Sequence, residues 1–105
     1  MRAVYKKPGL SAVILNVHNH LRLLQKLVGG NIETVTITPT ETSLFEKTVI
    51  IICNEEGKLK GLDPNFYAGA IHDYICGPAL FVGEDGEDFG DLTENDAQTI
   101  YKQLQ

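Results

Sequence analysis

The sequence predicts an α+β domain: a mixed or mainly antiparallel sheet of about five strands with two helices packed on it. Three observations point there. Short β-branched runs bounded by turn residues occur in both halves of the chain, and two stretches switch to a helical period. The 105 residues, 43% hydrophobic and 22% charged, suffice for one core and are too few for two, so residues 1–105 form a single domain.

Residues 2–6, RAVYK, are β-prone, Lys7-Pro8-Gly9 is turn chemistry, and residues 10–17, LSAVILNV, give a second strand, so a hairpin is expected. From His18 to Val28 the period changes. Leu21, Leu24, Leu27 and Val28 share one helical face, Asn16 or Asn19 is available as a cap, and Gly29-Gly30 stops the helix. Residues 31–38, NIETVTIT, alternate as a strand, with a slip of phase at Thr34-Val35 that would suit a bulge. Pro39 to Glu46 reads as a polar loop. Lys47 to Cys53 is apolar through its middle and is expected to be a central strand buried on both faces.

Asn54-Glu55-Glu56-Gly57 then reads as a hairpin loop in which Gly57 supplies positive φ and Lys58-Leu59-Lys60 opens the partner strand. Gly61 to Asn65 is a second turn cluster, and Phe66 to Ile71 fits neither period. Asp73 to Gly83 is expected to be one strand interrupted at Gly77-Pro78, and Glu84 to Asp91 an acidic loop. A last helix follows. Thr93 caps it, Glu94 and Asp96 load its first turn, and Ala97, Ile100, Tyr101 and Leu104 form its apolar face.

Nine Lys and Arg against fourteen Asp and Glu give a net charge of −5, which disfavours a broad basic surface for nucleic acid. The basic start at Arg2, Lys6 and Lys7 is broken by Pro8-Gly9 before it can become a signal peptide, and the run Val49 to Cys53 is too short to span a membrane. Cys53 and Cys76 lie in apolar stretches and read as buried, unpaired thiols. A cytoplasmic location is expected.

Few motifs carry chemistry. A calcium loop started at Asp85 or Asp88 would place Phe89 or Leu92 where an oxygen ligand is needed. His18, His20, Cys53, His72 and Cys76 lack the close Cys pairs of structural zinc sites. His72, Asp73 and Cys76 have the types for an activated thiol, yet neighbours on one strand do not all face one another. The glycines at 83, 86 and 90 fit no phosphate loop. No catalytic residue, metal or cofactor is assigned. The candidate ligand-binding residues are Asn65, Tyr67, His72 and Tyr74, together with Asn54, because rings, amides and imidazole suit a nucleotide or a peptide. Ordinary half-buried packing accounts for the same side chains.

Several stretches together resemble one family. Leu27 to Glu33, Ile52 to Leu59, Gly61 to Asn65, Ile75 to Gly83 and Asp88-Phe89 are similar to the family called domain of unknown function 3846, over roughly residues 10–104. The chain departs from that pattern where Val82 runs directly into Gly83. The resemblance implies a small protein of bacteria, phages or mobile elements and, by association with phage–host conflict, a counter-defence role. The expectation is a non-enzymatic protein that sequesters a small nucleotide-type signal, held between protomers of a homo-oligomer. The alternative is an inhibitor docking on a host defence protein through its acidic surface. Neither direct nucleic-acid binding nor membrane binding is expected.

Overall fold

The computed structural model describes residues 1–105. The N-terminal hairpin forms as its turn chemistry predicts, β1 (Arg2–Lys6) pairing antiparallel with β2 (Val13–Asn16). Helix α1 (Leu21–Val28) buries Leu24 and Val28 and stops at Gly29, whose φ of 82° is the left-handed conformation glycine adopts readily. Neither asparagine caps its start. His20 occupies the cap position without a side-chain bond, and the Asn19 amide instead donates to the Asp88 carboxylate at 2.9 Å.

β3 (Ile32–Ile37) pairs with β4 (Val49–Asn54) in unbroken register from Ile32–Asn54 to Ile37–Val49, so the slip at Thr34-Val35 is not a bulge. Ile32 packs toward α1, Val35 and Ile37 pack toward the other face, and Thr34 and Thr36 are exposed. β4 is buried at all six positions, as its continuous apolar run predicts.

β5 (Pro64–Ala68), a 3₁₀ turn (Gly69–Ile71) and β6 (Asp73–Cys76) make a separate two-stranded ribbon. β7 (Ala79–Asp85) enters the main sheet, β8 (Asp88–Gly90) folds back on it, and α2 (Glu94–Gln103) closes the chain with the Thr93 hydroxyl accepting from the Asp96 amide at 3.0 Å. The main sheet runs β2-β1-β7-β4-β3, antiparallel throughout. Alternate residues of its strands feed two cores. Ile50, Ile52, Leu80 and Val82 meet α1, while Val49, Ile51, Phe81 and Val4 meet α2 and the ribbon.

Three expectations are corrected. The segment after β4 cannot be its hairpin partner, because β3 and β7 already occupy both edges of β4. Residues 56–62 form helical turns instead, with the Lys60 amide donating to the Glu56 carbonyl and the Leu62 amide to the Gly57 carbonyl, both at 2.9 Å. Gly57 does not have positive φ; glycine is needed there because an added Cβ would lie 2.4 Å from the Cys76 carbonyl oxygen. Residues 73–83 are two strands in two sheets, split where Gly77 turns at φ 90°. The acidic stretch 84–91 holds the β7–β8 hairpin rather than an open loop.

The two glycines of this turn therefore separate by mechanism. Gly57→Ala forces backbone apart and is expected to cost about 3 kcal/mol or more in urea unfolding. Gly61→Ala, at φ 68° with nothing within 4 Å, is expected to cost only about 1 kcal/mol.

Candidate functional site

On the face away from α1, α2 and the ribbon cover the sheet incompletely. Between β3, the ribbon with its 3₁₀ turn and the C-terminal end of α2 they leave an open groove of about 1220 Å³. Val35, Ile37, Phe66 and Phe81 contribute to its apolar lining, the two phenylalanine rings tilted at 30° to one another with centroids 5.2 Å apart. Of eight large apolar side chains left exposed on the whole molecule, five (Leu44, Leu59, Tyr67, Ile71 and Tyr74) line this groove.

The candidate residues divide into two classes. Tyr67 and Tyr74 sit opposite each other on β5 and β6 as an edge-to-face pair, centroids 5.4 Å apart, each more than half exposed. His72, exposed at the end of the 3₁₀ turn with φ 53°, stands near them on the same wall. These three are brought together. Asn54 and Asn65 are instead engaged within the fold. The buried Asn54 side chain donates to the Val28 carbonyl at 3.2 Å and accepts from the Glu56 amide at 2.8 Å, tying the end of α1 to the turn after β4. Asn65 donates to the Lys6 carbonyl at 2.8 Å and the Gly77 carbonyl at 2.9 Å, and accepts from the buried Lys6 ammonium at 3.1 Å. It fastens the ribbon to the main sheet.

Asp96, read from the sequence only as a favourable helix-terminus charge, is also part of the frame. It is buried and accepts the Glu46 and Lys47 amides at 2.8 and 3.1 Å, which holds the 39–47 loop as a wall of the groove. The sequence signal was present: an acid at the third helical position of a capped helix can accept from a neighbouring loop as readily as it can serve the dipole.

The electrostatics are acidic. Glu33, Glu41, Glu55 and Asp73 line the groove against one lysine, Lys58, which is paired with Asp73. The Cys53 thiol, buried on β4 beside the groove, donates to the Glu33 carbonyl. Burial, with a smaller push from the Glu33 carboxylate, raises its pKa to about 11, so it stays protonated near neutral pH. Cys76, expected to be buried, is half-buried. No group of three or more His, Cys, Asp or Glu side chains converges to hold a metal, and no helix is long and apolar enough to cross a membrane.

The β3 side of the groove is also an open sheet edge. The Glu55 amide donates to the Asn31 carbonyl at 2.8 Å, which fixes the alternation: residues 33, 35 and 37 exchange bonds with β4. The amides and carbonyls of Thr34 and Thr36 point away from β4 and have no partner in the molecule.

Over residues 1–105, the whole chain, the sequence matches the family described as Domain of unknown function (DUF3846), and the chain belongs to that family. No curated protein and no solved structure matches it.

Frame and rim residues are expected to respond differently to substitution. Asn65→Ala, which removes one of the two acceptors of the Lys6 ammonium and both carbonyl bonds, should cost about 2–4 kcal/mol in chemical unfolding, whereas Tyr74→Ser should cost less than about 1 kcal/mol. Cys53 gives a pH signature. A thiol whose pKa is raised on folding stabilises the native state fully below its unfolded pKa and loses that contribution as pH rises through the folded value. Stability should therefore fall between about pH 9 and 11 by about 2–3 kcal/mol, and Cys53→Ala should remove that part of the slope.

Proposed function

We propose that this member of the family is a non-enzymatic binding protein that works by seating a segment of a partner protein in the groove. The observation that carries the reading is the gathering of five exposed apolar side chains around one concavity, while the rest of the surface exposes three. Scattered apolar side chains need no explanation, but a contiguous set around a cleft marks a surface that another molecule covers. Burying one such side chain fully is worth about 1.5–3 kcal/mol, enough for a few of them to hold a partner.

A nucleotide-type signal is the other occupant to weigh. Tyr67 and Tyr74 offer rings on which a base can stack. Its phosphates, however, would meet four carboxylates and one lysine already engaged by Asp73. That balance favours a protein segment. In the phage and mobile-element setting that the family resemblance implies, the partner would be a bacterial defence protein. The groove is a better docking surface than the acidic stretch 84–91, where Asp88 already accepts from Asn19 and Asp91 from the Arg2 amide.

Selection from a displayed random-peptide library tests this, paired with native mass spectrometry against cyclic and ADP-ribose-derived nucleotides. The expected result is a set of peptides whose binding falls at least about tenfold with Tyr67→Ser/Tyr74→Ser, and no retained nucleotide. A nucleotide that survives dialysis and is released by the same double substitution would transfer the site to the sequestration reading. No ligand of either kind sensitive to that substitution would remove the groove from the account.

A further inference from the structure

Resting on that reading, we infer that the partner binds by strand addition: an extended, basic and apolar peptide pairs antiparallel with the free edge of β3 and lays alternate side chains into the groove. The edge has the features such an addition requires. β3 is six residues long and in unbroken register, with no bulge, proline or lysine to discourage a neighbour. Thr34 and Thr36 present unpaired amides and carbonyls along it, and their backbone forms this side of the groove between the inward-facing Glu33, Val35 and Ile37.

The pairing geometry specifies the ligand. An added antiparallel strand would exchange backbone bonds with Thr36 and Thr34. Residues opposite Ile37, Val35 and Glu33 then fall at non-hydrogen-bonded positions, where Cα atoms approach to about 4.5 Å and side chains meet closely. Two of these positions are apolar and the third carries a carboxylate. Read from its N-terminus, the peptide therefore follows the pattern apolar-x-apolar-x-basic. The wider charge agrees, since Glu41 and Glu55 also line the groove and the chain carries −5. Across the groove Tyr67, Ile71 and Tyr74 offer apolar surface to the strand's far edge. This is main-chain recognition for affinity with side-chain pockets for specificity.

The probe is a blocked heptapeptide, Thr-Val-Thr-Val-Thr-Lys-Thr, added to isotope-labelled protein and followed by NMR. The expected result is slowed exchange at the Thr34 and Thr36 amides with shifts at Tyr67 and Tyr74. Glu in place of the Lys should weaken binding by about fivefold to tenfold at low salt. N-methylation of the third and fifth peptide residues should abolish binding, while N-methylation of the second and fourth should leave it. On the protein side Thr34→Pro should have the same effect as the first methylation pattern, because that amide makes no bond in the sheet. If both methylated peptides bind as well as the parent, strand addition is overturned while groove binding stands. If no peptide moves Tyr67 or Tyr74, both readings fall. If the free protein is already a dimer that protects the Thr34 and Thr36 amides, a second copy occupies the edge and the peptide proposal is overturned.

Discussion

The structure depends on the burial of β4 along both of its faces. A strand with no exposed residue needs a neighbour at each edge and a cover on each side, and two strands, two helices and the ribbon meet those demands. β3 and β7 take the edges. α1 covers the face of Ile50 and Ile52, and α2 with the ribbon covers that of Val49, Ile51 and Cys53. The two covers differ in completeness. One helix covers one side of the sheet, whereas the other side is shared between a helix and a ribbon. The groove is the space between them.

Polar side chains hold this arrangement where apolar packing alone would let elements slide. Asn54 links the last residue of β4 to the end of α1, Asn65 fastens the ribbon to β1 through a buried lysine, and Asp96 pins the 39–47 loop to α2. Each bonds to main-chain groups of a second segment, and one such bond contributes about 0.5–1.5 kcal/mol. The position of the ribbon, and with it the width of the groove, follows from the Asn65 contacts. Groove and fold are thus coupled through the same polar side chains.

The sequence displays the local features plainly. The run around Ile50 to Ile52 announces a two-sided strand, the periods of Leu21 to Val28 and Ala97 to Leu104 announce helices, and Thr93 announces its own cap. What it conceals is long-range. That β7 lies between β1 and β4 depends on pairings such as Val4 with Phe81 and Ile51 with Phe81, which no neighbouring residues encode. Asn54 and Asn65 look like ligand groups because an amide has the same chemistry whether its partner is a ligand or a carbonyl of its own chain. Gly57 looks like a turn glycine because sequence cannot distinguish a required φ from a required absence of Cβ. The exposure of Tyr67, His72 and Tyr74 beside one groove is legible because bulky rings in a turn-rich stretch have too little core nearby to bury them.

Residue-resolved amide hydrogen exchange on the free protein reads the buried strand and the open edge together. Slow exchange is expected along the whole of β4 and a sawtooth along β3: Glu33, Val35 and Ile37 protected, Thr34 and Thr36 exchanging at least about a hundredfold faster. Uniform protection along β3 would mean that its edge is covered and the groove is not open. Fast exchange within β4 would contradict the claim that this strand organises the fold.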